Sequence, residues 1–301
     1  MSRRPVLYVS AFLLGAFFYD AVLRSALTWL VVLPSIPGGL KVLTAILALF
    51  SLTHAWYSLG GRPTVAFFAL SAVISWAYEQ AGIATGLVFG PYHYTDYLGG
   101  KLGDVPVLIP LAWFMMIYPS YVVANLLVER RPIGTPGGAA PLLRLAAASA
   151  IVMTAWDLVV DPILSGPQVK AWIWEGGGPY FGIPVHNYAG WLLTTFTVYL
   201  AYRALEQRRV LRPGGAGSNG AGLSGAANLP LGAAAAALPV AAYGLMLIAD
   251  LLSGVAPAGL AIVGSVVMGV PFAAAALRLR SIGRPVGHEE PRTSVARALA
   301  E

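Results

Sequence analysis

Apolar residues in this chain fall in long unbroken runs instead of the short periodic stripes of soluble elements. A helix crossing a bilayer takes about 20 mostly apolar residues. Eight runs meet that length, at 6–33, 40–59, 64–84, 107–128, 141–161, 187–205, 229–252 and 257–278. The first is long enough to be tilted or broken near Asp20. It continues past Asp20 and Arg24 without a small-residue cleavage site, so it reads as an uncleaved span and not as a signal peptide. The pattern predicts an all-α fold: a polytopic transmembrane helical bundle of about eight spans. A Gly/Ala/Ser-rich stretch, 212–228, reads as a flexible linker. It divides the chain into a six-span bundle that carries the chemistry (1–211), a C-terminal helix pair (229–280) and a tail (281–301).

Composition narrows the class further. Only 11% of residues are charged and 57% are hydrophobic, whereas a soluble domain is roughly 25% charged. That excludes a water-facing globular enzyme and a disordered chain. The absence of cysteine excludes disulfides, thiolate metal sites and cysteine nucleophiles. The net charge of +6 is no nucleic-acid signal, because the basic residues sit in short loops and at the ends of apolar runs. They read as a topology signal. With the N-terminus in the cytoplasm, Arg62, Arg130, Arg131, Arg144, Arg203 and the arginines of the linker and tail fall inside. Only Lys41, Lys101 and Lys170 fall outside. Both termini are therefore expected in the cytoplasm of a multi-pass cell-membrane protein. The two long aromatic loops, 85–106 and 162–186, are expected on the other face.

Ionisable residues inside spans are costly and mark function by default. Asp20 and Arg24 are four residues apart and read most simply as a self-neutralising pair. His54 reads as a satisfied structural histidine. Asp157 and Asp161, in the run TAWDLVVDP, share a helix face that Pro162 is expected to end. Two acids beside Trp156 suggest a site, since a carboxyl that keeps its proton can act as a general acid. Glu79 lies at a similar depth. The first long loop, FGPYHYTDYLGGKLGDVPV, adds Tyr92, His93, Tyr94, Asp96 and Asp104. The second, with WIWEGGGPYFGIPVHNYAGW, adds Trp174, Glu175, Tyr180, Phe181, His186, Asn187 and Trp191. A metal site built from these histidines and aspartates matches no strong ligand spacing. A magnesium-diphosphate reading of Asp157-x-x-x-Asp161 lacks a second aspartate-rich motif.

Three segments in order, FGPYHYTDYLGGKLGDVPVLIPLAWFMMIYPSYVVAN, TAWDLVVDP and WIWEGGGPYFGIPVHNYAGW, resemble the integral-membrane carotenoid biosynthesis proteins. That family includes hydratases acting on acyclic carotenoid ends. The resemblance is strongest over 76–192. It implies addition of water to a terminal isoprenoid double bond, without a cofactor, on a lipophilic carotenoid held in the lipid bilayer. It also leaves room for association with other carotenoid-biosynthesis enzymes. Depth and chemistry then suggest roles. Asp157 would be the acid, with Asp161 and Glu79 as alternatives. His93, Asp96, His186 and Asn187 would position water. Trp113, Trp156 and Trp191 would face the cation, and Tyr92, Tyr94, Trp174, Tyr180 and Phe181 would bind substrate. A carotenoid cyclase, or a membrane scaffold or transporter for the pigment, remains open at this point.

Overall fold

The structure is a computed structural model that describes residues 4–208 and 230–282. The linker 212–228 lies outside the described residues, as does the tail 281–301 apart from its first two positions. Eight helices coincide with the eight apolar runs. They are α1 (Arg4–Leu27), α2 (Gly39–Leu59), α3 (Gly61–Thr85), α4 (Leu108–Glu129), α5 (Ala139–Leu164), α6 (Val185–Gln207), α7 (Pro230–Leu251) and α8. The last begins as Leu260–Gly264, widens into a π turn over Ser265–Gly269 and continues as Val270–Ile282.

Six of these, α1, α2, α4, α5, α7 and α8, are long and apolar enough to cross a membrane. The remaining two, α3 and α6, have 25 and 23 residues. At 1.5 Å per residue either could reach across a core of about 30 Å. Their lower hydropathy has a structural cause. Ser71, Ser75 and Glu79 on α3, and Asn187, Thr194, Thr195 and Arg203 on α6, are all buried inside the protein. The polar faces of these two helices meet each other and their neighbours. Arg203, expected among the cytoplasmic topology residues, is one of these buried groups. Its guanidinium donates to Asn125 Oδ1 at 2.8 Å, Ser149 Oγ at 2.7 Å and Thr135 Oγ1 at 3.0 Å.

Helix α4 is the hub. It packs against α2, α3, α5, α7 and α8, and its residues from Trp113 to Leu126 are all buried. The C-terminal pair α7–α8 is thus seated directly on the six-helix bundle.

The first helix stops earlier than its apolar run. It ends at Leu27, a turn follows over 28–30, and residues 31–36, which include Pro34, form no regular element before α2. Around Asp20 it widens into a π turn, Phe18–Arg24. Asp20 Oδ1 there accepts the Ile36 amide at 2.7 Å and Arg24 Nε at 3.2 Å.

Interior prolines in α4, α5 and α7 each free the carbonyl four residues earlier. These three carbonyls each have a side-chain partner from elsewhere. Pro119 frees Met115, which accepts Ser51 Oγ at 2.8 Å. Pro162 frees Leu158, which accepts Tyr180 Oη at 2.7 Å. Pro239 frees Ala235, which accepts His54 Nε2 at 2.8 Å. So Pro162 does not end α5, which continues to Leu164, and His54 is the structural histidine its position suggested.

The two long loops meet as a small antiparallel ribbon at one end of the bundle. Strand β1 (Tyr92–Tyr94) pairs with β4 (Trp172–Trp174), with Tyr92 opposite Trp174, His93 opposite Ile173 and Tyr94 opposite Trp172. Strand side chains alternate between faces. The four aromatics therefore share one face, and His93 and Ile173 point the other way. Between these strands lies a two-residue hairpin, β2 (Lys101–Leu102) with β3 (Val105–Pro106). Gln80 on α3 anchors it, donating to Asp104 Oδ2 at 2.7 Å and accepting the Asp104 amide at 2.9 Å.

Candidate functional site

Beneath the aromatic ribbon lies a cavity of about 450 Å³. It is lined by the ribbon and by residues of α1, α2, α3, α4, α5, α6 and α7. Among the buried carboxyls that face it are Glu79 from α3, and Asp157 and Asp161 one turn apart on α5.

Their hydrogen bonding differs in a way that assigns them different work. Glu79 is saturated. Its Oε2 accepts the Tyr92 and Tyr94 hydroxyls, the second at 2.9 Å, and its Oε1 accepts Trp113 Nε1 at 3.1 Å. Burial first, and the Glu79 carboxylate second, push both tyrosine hydroxyls well above the usual phenol range. They remain protonated donors. Asp161 is similarly occupied. Its Oδ1 accepts Trp172 Nε1 at 2.8 Å and Trp174 Nε1 at 3.2 Å, and its Oδ2 accepts Asn187 Nδ2 at 2.8 Å.

Asp157 is the exception. Its Oδ2 accepts the other amide hydrogen of Asn187 at 2.8 Å, while its buried Oδ1 has no hydrogen-bond partner among the described residues. An unpartnered buried carboxyl oxygen is rare and needs an explanation. The residue that bears it lines a cavity walled by indoles. Trp113 and Trp191 stack with centroids 4.0 Å apart, and Trp156 meets Trp191 edge to face at 6.0 Å.

Asn187 owes its position to close packing at the start of α6. Gly190, one turn on, lies against the 88–89 backbone: a Cβ there would come within 2.2 Å of the Val88 carbonyl oxygen. Only a glycine lets α6 approach so closely.

The expected residues thus divide. Glu79, Tyr92, Tyr94, Trp113, Trp156, Asp157, Asp161, Trp174, Asn187 and Trp191 converge on one cavity. Five others do not line it. His93 is turned outward by strand alternation, its Nδ1 3.2 Å from Glu175 Oε1 on an exposed surface. Asp96 is fully exposed, 3.8 Å from Lys101 Nζ. His186 precedes Asn187 on α6 and, rotated about 100° from it, is exposed. Phe181 is exposed at the tip of a turn closed by the Ile183 amide and the Tyr180 carbonyl at 2.8 Å. Tyr180 is spent on the carbonyl that Pro162 frees.

Sequence reasoning missed four participants. Trp172 has the same strand parity as Trp174, which the alternation of WIW could have revealed. Asp20 and Arg24 do pair, yet both line the cavity. Asp250 lines it from α7, although it reads as an ordinary residue near a span end. Among the described residues, no three His, Asp or Glu side chains are grouped to share a metal ion.

The family model described as carotenoid biosynthesis protein matches residues 40–214. A bisanhydrobacterioruberin hydratase from Haloarcula japonica is 34% identical over 142 residues, which is 47% of this chain. The matched stretch spans 45% of that relative's length. No solved structure matches the chain. The chain belongs to the carotenoid biosynthesis protein family.

Proposed function

We propose that this member of the carotenoid biosynthesis protein family is a hydratase that adds water across the terminal double bond of an acyclic carotenoid end, giving a tertiary alcohol. The observation that carries this reading is the unpartnered Oδ1 of buried Asp157 in an indole-walled cavity. A carboxyl whose other oxygen is held by Asn187 keeps one oxygen free of partners, and with a proton on it that oxygen can act as a general acid.

In this mechanism the Asp157 O–H bond breaks and the alkene π pair takes the proton at its less substituted carbon. The neighbouring carbon becomes a tertiary cation. Indole faces stabilise cations, and Trp113, Trp156 and Trp191 line the cavity that would hold it. Water attacks the cation, the new C–O bond forms, and a proton leaves to a base. Glu79 and Asp161 act through the aromatics they hold. Each fixes two or more ring donors, which keeps the walls of the cavity in place. The name of the Haloarcula japonica relative supports the same class of reaction, and the apolar helices suit a lipophilic substrate. The distribution of arginines supports placing this end of the bundle toward the non-cytoplasmic half of the membrane.

The test is expression in a host that makes acyclic carotenoids, followed by mass analysis of the pigments. Hydration adds the mass of one water per modified end. Ring closure, the cyclase outcome, leaves the mass unchanged. Recovery of bound but unaltered pigment would instead indicate a scaffold.

A further inference from the structure

We infer that this cavity is the inner end of a binding channel, and that the polyene remainder of the carotenoid leaves it through a mouth between α1, α2 and the α7–α8 connection. The inference rests on the hydration reading above and adds to it a site for the apolar tail.

Size sets the problem. A cavity of about 450 Å³ holds a drug-sized ligand. A carotenoid polyene is longer than such a ligand, so the cavity can enclose the reacting end only if the rest of the chain passes out. The lining residues that are exposed are Gly39, Tyr97 and Ser253. They stand at the start of α2, in the short turn Asp96–Leu98 and in the α7–α8 connection. Arg24 and Ser25, also in the lining, are partly exposed on α1. Glu79, Asp157, Asp161, Trp113 and Trp156 are all buried. The cavity therefore runs from a buried floor of acids and indoles to the surface at α1, α2 and α7.

Packing draws these elements around one opening. Helix α1 lies against α2, and its π turn lies against α7. A Cβ on Gly99, just past the Asp96–Leu98 turn, would stand 3.5 Å from Lys41 Nζ on α2. A Cβ on Gly39 would meet nothing within 4 Å, so the lip there is open. The π turn, Phe18–Arg24, falls where α1 borders the cavity, and such turns are frequent at functional sites.

The chemistry of this arm suits a hydrocarbon. The elements of the mouth also supply Phe17, Leu40, Leu43, Leu98, Met246 and Val255 to the lining. The acids beside them are engaged. Asp20 holds Arg24 and the Ile36 amide, and Asp250 takes the Trp156 indole.

The chain has no cysteine, so a single introduced thiol reports on the mouth alone. Ser25→Cys and Ser253→Cys, with Ser35→Cys as an exposed position outside the lining, are purified full-length in detergent. Each is reacted with a maleimide with and without lycopene as the acyclic carotenoid, and pigment co-eluting with the protein is measured in parallel. With lycopene at about ten times its Kd, labelling of Ser25→Cys and Ser253→Cys is expected to slow about 10-fold, while Ser35→Cys is unchanged. In the reverse order, a maleimide already attached to Ser253→Cys is expected to lower co-eluting pigment by a similar factor. Pigment that co-elutes without slowing Ser25→Cys or Ser253→Cys, or that slows Ser35→Cys equally, overturns the inference. So does undiminished pigment on the maleimide-bearing Ser253→Cys. Wild type that binds lycopene but forms no alcohol contradicts the hydration reading alone, and wild type that binds none contradicts both.

Discussion

Asn187 donates to Asp157 Oδ2 at 2.8 Å and, with its second amide hydrogen, to Asp161 Oδ2 at the same distance. One amide thus holds two buried carboxyls and leaves a single oxygen of the pair, Asp157 Oδ1, without a partner. Replacing it with leucine would leave two buried acceptors short of a donor, each costing about 1–3 kcal/mol. Asn187→Leu is expected to lower turnover about 10- to 100-fold and also to lower the thermal midpoint in detergent. Wild-type turnover in Asn187→Leu would show that the pair needs no such clamp.

The Tyr180–Leu158 contact allows a cleaner test of structure against chemistry. Tyr180→Phe leaves the carbonyl freed by Pro162 without its donor and is expected to destabilise the protein by about 1–3 kcal/mol. Pro162→Ala restores the missing backbone N–H. In the double variant most of that loss should return, a coupling that a double-mutant cycle measures from unfolding midpoints. Additive losses would contradict the assignment of Tyr180 to the backbone.

Much of this arrangement is legible in the sequence, and the reasons differ by residue. The helices are legible because lipid-facing and core-facing positions are both apolar, so length alone marks a span. Glu79, Asp157 and Asp161 stand out as acids inside such runs. The pairing of Tyr-His-Tyr with Trp-Ile-Trp is not legible, since it joins loops about 80 residues apart, and it alone decides that His93 faces away. His186 and Asn187 are adjacent letters about 100° apart around a helix, the first exposed and the second buried. Asp250 looks like a span-end residue until α7 is packed onto the bundle beside Trp156.

Strand parity and exposure predict silence at two positions. His93→Ala and Asp96→Ala remove exposed side chains that make only surface ion pairs, which contribute about 0–1 kcal/mol. Alcohol formation is expected to stay within about 2-fold of wild type. A 10-fold loss in either variant would return these residues to the site.

The indole walls make a graded prediction. Cation–π stabilisation is worth about 0.5–2 kcal/mol, so Trp191→Leu should lower turnover roughly 2- to 30-fold, with Trp191→Phe losing less. Steady-state kinetics of the purified protein distinguish this from weaker substrate binding, which would raise KM at unchanged turnover. Equal effects of leucine and phenylalanine would argue that Trp191 only fills space.

The central claim is that the added oxygen comes from water after Asp157 protonates the alkene. It is tested most directly by incubating purified wild type and Asp157→Asn with an acyclic carotenoid in heavy-oxygen water, without dioxygen, and reading the label in the product by mass. The account predicts a labelled tertiary alcohol from wild type and a loss of at least about 100-fold in Asp157→Asn. An unlabelled or ring-closed product, or undiminished labelled alcohol from Asp157→Asn, would contradict it.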